Sequence, residues 1–261
     1  MPLLRPASKE VILSDIRKIV RFCFPATCIV CKRVLVENVN CNAYLENLGI
    51  CRSCLSTLPL RMQEERWHPC LSDAYEDDPV SDFYVWVMFH YDQAIPELLR
   101  RLKFSRAPYC GRALGSLMAR ELPGDLPFRP NAVIPIPLSR QRLEQRGYNQ
   151  ASVLGAKIAE RLSVPLLENV LVRTRHTKQQ SRYIDPRLRE ENVDGAFAVA
   201  EDWDIRGWNI LVIDDILTSG ATLHEAARVL RQNQAATIAG AVCASHRQDY
   251  HEKVQKIRKK V

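Results

Sequence analysis

Apolar and polar positions give the chain three successive textures. Over residues 9–22, Val11, Ile12, Ile16, Ile19 and Val20 recur on one helical face, which predicts an amphipathic N-terminal helix within residues 1–22 that packs on another surface. Residues 23–70 have no long periodic segment and predict a small module held by something other than a hydrophobic core. Residues 71–82, LSDAYEDDPVSD, are acidic and turn-rich and read as a linker. From 83 to 246 the pattern alternates. FYVWVMF (83–89), AVIPIP (132–137), NVLVR (169–173), GAFAV (195–199), NILVI (209–213) and ATIAGAV (236–242) read as strands. PELLRRLKF (96–104) and residues 110–121, 151–162 and 222–232 read as helices, LSRQRLEQRGYNQ (138–150) as a basic turn, and 174–192 as a long polar, basic stretch. Strands alternating with helices predict an α/β fold with a parallel sheet covered on both faces. Residues 247–261 form a basic tail.

The 261 residues are 46% hydrophobic and 26% charged, which excludes global disorder. The longest uncharged apolar stretch near the C-terminus, Ala235 to Ser245, falls short of the roughly 20 residues a membrane span needs. Charges scattered through the first 24 residues leave no secretory signal, so a cytoplasmic protein is expected. In that compartment nine cysteines favour metal binding over a disulfide framework. Cys28-x-x-Cys31 and Cys51-x-x-Cys54, 19 residues apart, have the spacing of a four-thiolate structural zinc site. Redox dithiols are the competing reading. Cys23, Cys41 and Cys70 remain candidate substitutes for one ligand, while Cys110 and Cys243 read as small apolar core residues. The net charge of +7 admits polyanionic partners, with basic segments at 140–146, 173–189 and 253–260.

The most informative segment is NILVIDDILTSGATLHEAARVL, residues 209–230. An apolar strand runs into Asp214 and Asp215, and a small-residue turn, Thr218-Ser219-Gly220-Ala221-Thr222, opens a helix. Beyond the carboxyl end of a parallel strand, a helix N-terminus offers free amides and a positive dipole end to a phosphate. Gly220 permits close backbone approach, the hydroxyls add donors, and paired carboxylates accept from a vicinal diol or hold hydrated magnesium. A plain helix cap needs only one such residue. Phosphate, diol and metal together describe a ribose phosphate.

Residues Ile213 to Thr222 resemble the signature of type I phosphoribosyltransferases, which bind 5-phosphoribosyl 1-pyrophosphate (PRPP). The segments Pro135 to Arg140, Arg146-Gly147-Tyr148-Asn149-Gln150 and Arg173 to Thr177, with Gln180, Arg187, Asn192, Gly195-Ala196-Phe197, Leu102-Lys103-Phe104 and the cysteine module, resemble the ComF family of competence proteins. The resemblance implies a phosphoribosyltransferase-like domain over 83–246 behind a zinc-binding module. It implies that Thr218, Ser219, Gly220, Ala221 and Thr222 hold the 5-phosphate, Asp214 and Asp215 the ribose hydroxyls, and Leu138, Ser139 and Arg140 the pyrophosphate. Related transferases often carry a strained cis non-proline peptide there, expected near Ser139. It further implies a flap over 174–192, with Arg175, Thr177, Gln180, Arg187 and Asn192 as its candidate ligand residues. Zinc is the expected structural ion and magnesium the companion of PRPP. The family's partners would be single-stranded DNA and other competence proteins, in the cytoplasm, with the inner membrane face as a peripheral location.

Two functions follow: a PRPP-binding protein that assists DNA uptake in natural transformation, or a metabolic phosphoribosyltransferase with an unidentified acceptor. Oxopurine transferases usually carry an acid where Thr218 stands and a lysine where Ala221 stands, so the usual purine general base is missing from that position. No catalytic residue is assigned.

Overall fold

The computed structural model describes residues 25–35, 48–69, 83–124, 126, 128–174 and 195–246. The N-terminal helix, the 71–82 linker, the 175–194 part of the expected flap and the 247–261 tail lie outside them, as do Cys23, Cys41 and Cys70. Two compact units divide between Thr57 and Leu58.

In the larger unit the strands are β1 (Trp67–Pro69), β2 (Tyr84–His90), β3 (Ala132–Pro135), β4 (Leu171–Arg173), β5 (Phe197–Val199), β6 (Asn209–Leu217) and β7 (Thr237–Ser245). Five of them form a sheet in the order β1-β2-β7-β6-β3. β2, β7, β6 and β3 are mutually parallel, whereas β1 pairs antiparallel with β2. The expected all-parallel sheet therefore has an antiparallel edge. That edge comes from sequence assigned to the cysteine module: residues 58–69 belong to the larger unit. Backbone bonds from Arg61 to Met88 and from Val87 to Arg66 hold this segment along β2. Buried Arg66 adds bonds to the Arg61 carbonyl and to Glu121. No helix-period or strand-period signal marks so short and charged a segment, so its place is set by tertiary pairing.

The helices are α1 (Arg52–Leu55) in the smaller unit, and α2 (Ile95–Phe104), α3 (Pro108–Glu121), α4 (Arg140–Arg146), α5 (Gln150–Leu162) and α6 (Ala221–Gln232) in the larger. Val85, Val87, Ile134, Ile210 and Val212 form a core with Leu223, Ala226, Ala227 and Leu230 of α6 on one sheet face. Alternate residues Trp86, Met88, Val133, Leu211 and Ile213 are equally buried. α3 and α5 pack on that second face, which is why these strands read as continuous apolar runs. Glycine permits the close contact of α3 with α5: a Cβ on Gly115 would lie 2.8 Å from the Leu154 carbonyl oxygen. β4 and β5 form a separate antiparallel pair. Its base is clamped where Gly195 N–H donates to buried Glu225 of α6 at 2.8 Å, a carboxylate held bidentately by Arg228.

The expected basic turn at 138–150 contains a helix. Ser139 caps α4 by accepting from the Arg142 amide, and Gly147 ends it in the left-handed conformation at φ +79°. Cys110 and Cys243 are fully buried, as expected of small apolar residues.

Candidate functional site

β6 carries the acids to the carboxyl end of the sheet. It does not stop at them: Asp214, Ile216 and Leu217 continue to pair with Val242, Ala244 and Ser245 of β7. The carboxylates are thus held by a rigid strand. Asp215 is buried, Asp214 half-buried, and the Asp214 Oδ1 accepts from the Asp215 amide at 2.8 Å. Thr218-Ser219-Gly220 then turns the chain into α6, and Gly220 takes φ +91°, a conformation that favours glycine. Ser219 Oγ accepts from the Ala221 amide at 3.4 Å. This 12-residue helix starts directly at the turn, and a helix N-terminus carries the positive dipole end suited to an anion.

A cavity of about 370 Å³ opens beside this loop. Among the residues expected at the ligand, Leu138, Asp214, Asp215, Thr218, Gly220 and Thr222 line it. Ser219 and Ala221 belong to the same turn and helix start. Ser139 is occupied as the cap of α4, and Arg140 points to solvent and pairs with Glu144 at 2.9 Å. No cis peptide occurs among the described residues, Ser139 included, so the strained bond expected there is not found. Of the expected flap, only Arg173 and Thr174 at its base are described; Arg175, Thr177, Gln180, Arg187 and Asn192 lie outside the described residues.

The cavity also gathers residues to which the sequence gave no individual role. Lys103, in the last turn of α2, reaches Asp215 Oδ2 at 2.8 Å. Arg142, Arg146, Asn149 and Gln150 line the wall formed by α4 and the start of α5; Arg173 from β4, expected from the sequence as a cation at the flap, lines the cavity with them. Asn149 fixes that wall: its Nδ2 donates to the Ile136 carbonyl at 2.9 Å and its Oδ1 accepts from the Ala151 amide, capping α5. The Asn-Gln pair ahead of an apolar helical run was a readable cap signal. Lys103 stands in a helix otherwise ordered by its apolar stripe, and only the three-dimensional fold brings it to β6.

Electrostatics follow from this packing. Burial raises the Asp214 carboxyl to about 7, reinforced by the like charge of Asp215 and opposed by the Asp215 amide, Lys103 and Arg173. Burial lowers the Arg173 guanidinium to about 10, with Arg142 adding repulsion, and lowers Arg146 as well. The cavity therefore holds two acids among five cationic side chains, Arg100, Lys103, Arg142, Arg146 and Arg173.

In the smaller unit, a tight turn brings Cys28 to Cys31, with the Cys28 amide on the Arg33 carbonyl, the Lys32 amide on the Cys28 carbonyl, and a bridge between Thr27 and Val34. Cys51 and Cys54 flank the start of α1. The Ile29 amide donates to the Gly49 carbonyl and joins the two turns. All four sulfurs lie within 4.8 Å of one another, and Cys31 and Cys51 Sγ are 3.8 Å apart. A tetrahedral ion with bonds of about 2.3 Å sets its sulfurs about 3.8 Å apart, so the donor set fits such an ion. Burial pushes the Cys28 thiol up, but the amides of Cys51, Cys31 and Val30 outweigh it and leave it at about 7, while burial and the neighbouring sulfurs raise Cys54 to about 12. The four cysteines are a cluster able to bind a metal.

Residues 149–260 match the family model described as "Phosphoribosyl transferase domain". Competence protein F of Haemophilus influenzae is 29% identical over 199 residues, 74% of this chain and 82% of that protein. Competence protein ComFC of Bacillus subtilis is 34% identical, over 58% of this chain and 60% of that protein. The chain is homologous to the ComF competence proteins. DNA utilization protein YhgH of Shigella flexneri is 32% identical to this ComF homologue over 57% of its length and 66% of its own. No helix among the described residues of the ComF homologue is long and apolar enough to cross a membrane.

The raised Asp214 carboxyl sets a pH dependence for the unliganded ComF homologue. An unfolded aspartate ionises near 4, so between about 4 and 7 the folded state binds the extra proton and stability falls as pH rises. The charged groups facing it are Asp215, Lys103, Arg146 and Arg173. Urea unfolding at pH 5 and pH 8 should show the loss at higher pH, and Asp214→Asn should flatten it.

Proposed function

We propose that this ComF homologue binds PRPP with magnesium and assists the entry of single-stranded DNA into the cytoplasm during natural transformation. The observation that carries the reading is the placement of Asp214 and Asp215 at the end of β6, facing one cavity with the Thr218 to Thr222 turn. In this reading the amides and hydroxyls of the turn bind the 5-phosphate, the two carboxylates orient the ribose diol, and the residues after β3 receive the pyrophosphate. Magnesium, when bound, offsets pyrophosphate charge, and Arg142, Arg146 and Arg173 add cationic contacts from the far wall. The DNA part is supported by the competence and DNA-utilization roles named for the similar proteins and by the exposed Arg140 of α4.

A transferase reading is favoured by one observation: the cavity continues past the carboxylates to Leu99 and Phe104, leaving room for an acceptor. Thr218 cannot take the proton an acid takes in oxopurine transferases, so hypoxanthine and guanine are unsuitable acceptors. Zinc is the ion assigned to Cys28, Cys31, Cys51 and Cys54, where it would replace the hydrophobic core that a segment of this size lacks.

Asp214→Asn combined with Asp215→Asn should weaken magnesium-dependent PRPP binding at least about tenfold in calorimetry, while the far-ultraviolet circular dichroism stays native. Equal affinity would reject the site. Metal analysis of protein purified without affinity resin should give one zinc per chain, lost in Cys51→Ser; a metal-free protein with a folded 25–57 unit would reject zinc. Affinity for single-stranded DNA should fall linearly in log-log form with salt, by about 0.7 per phosphate contacted, with little dependence on sequence. Deleting residues 253–261 should flatten that slope, and a salt-independent or strictly sequence-specific affinity would contradict the DNA reading.

A further inference from the structure

We propose that Lys103 is a built-in counter-ion that keeps free divalent metal off Asp214 and Asp215, so that metal reaches these acids only together with a phosphate ligand that draws the lysine away. This role rests on the reading that a magnesium-bearing phosphate ligand fills the cavity, and it fixes the order in which the parts of that ligand arrive.

Adjacent carboxylates are hard oxygen donors of the kind that hold magnesium or manganese. Asp214 and Asp215 are carried side by side on a paired strand, and burial with the charge of Asp215 pushes the Asp214 carboxyl up to about 7. Two acids that repel each other in a buried setting gain from any cation that reaches them. The cation in place is Lys103, whose Nζ lies 2.8 Å from Asp215 Oδ2. Among the described residues it is the one cation in an ion pair with either acid. The ammonium stands in for the charge that a metal ion would bring.

Lys103 is held at its base and loose at its tip. Ile95, Leu98, Leu99 and Leu102 bury one stripe of α2, and the Tyr148 hydroxyl donates to the Leu102 carbonyl, one residue before the lysine. The side chain itself stays 23% exposed. The neighbouring guanidiniums are committed elsewhere. Arg146 donates to Gln150 Oε1 at 2.8 Å and sits 5.4 Å from the Phe104 ring centroid, while Arg173 sits 5.3 Å from that of Phe197. A lysine ammonium is a compact charge on a flexible stem with three rotatable donors, so it can pass from a carboxylate to a phosphate oxygen without rebuilding its surroundings.

The sign of the electrostatics sets the order of entry. Against a divalent ion arriving alone, Lys103 must be expelled from Asp215, and Lys103, Arg146 and Arg173 all add repulsion. For an ion carried by a phosphate ligand, the same three cations gain anionic oxygens to pair with, and the released ammonium is not left without a partner.

The test uses manganese as a spectroscopic probe, titrated into the full chain at pH 8 without phosphate and followed by electron paramagnetic resonance. Lys103→Met keeps the stem and removes the charge, Lys103→Gln does the same with a polar tip in case the first variant fails to fold, and Lys103→Arg keeps the charge. The neutral variants should bind manganese at least about tenfold more tightly than the native chain, and Lys103→Arg should stay within about twofold of it. Adding Asp215→Asn to a neutral variant should abolish the gain. Native-like circular dichroism with no gain in a neutral variant, an equal gain in Lys103→Arg, or a gain that survives Asp215→Asn overturns the counter-ion role. Calorimetry with PRPP and magnesium runs in parallel. Manganese gain in the neutral variants of a protein that does not bind PRPP sustains the counter-ion and removes the PRPP reading; PRPP binding without that gain removes the counter-ion alone.

Discussion

Two adjacent carboxylates at the end of a buried strand are the constraint around which the cavity is arranged. The backbone that carries Asp214 and Asp215 is fixed by β6 continuing to pair with β7, so the chain cannot part them to relieve their repulsion. The surroundings supply compensation: Lys103 on Asp215, the Asp215 amide on Asp214, and Arg173 and Arg146 across the space. Even so, Asp214 stays well above the usual carboxylate range. Two acids that the fold must hold together, at a cost in unliganded stability, are well placed to be used by a ligand that carries its own cation and hydroxyls.

The cationic wall opposite the acids is assembled by capping. Ser139 starts α4, Gly147 stops it, and Asn149 both caps α5 and ties it to the Ile136 carbonyl at the end of β3. These local bonds set Arg142, Arg146 and Gln150 along one side of the cavity. The glycine contact of α3 with α5 then holds α5 close to its neighbour in the second layer.

Much of this was legible in the chain because its signals are local. The strand, the acids and the turn of 209–222 are consecutive, and so are the two Cys-x-x-Cys pairs whose sulfurs the fold brings within 4.8 Å. What escaped depends on distance along the chain. Residues 58–69 carry no period, and only pairing with β2 makes them an edge strand. Lys103 lies 112 positions before Asp215, and nothing in a helix reading announces that ion pair. The helix at 140–146 hid behind its basic composition, although Ser139 and Gly147 flank it as cap and stop.

The most direct test of the central claim is a crystal structure of the full chain with PRPP and magnesium. The account predicts the 5-phosphate on the turn from Thr218 to Thr222, the ribose hydroxyls on Asp214 and Asp215, and the pyrophosphate directed towards the segment after β3. A structure in which the phosphates bind elsewhere, with Asp215 still paired only to Lys103 and the turn vacant, would contradict it.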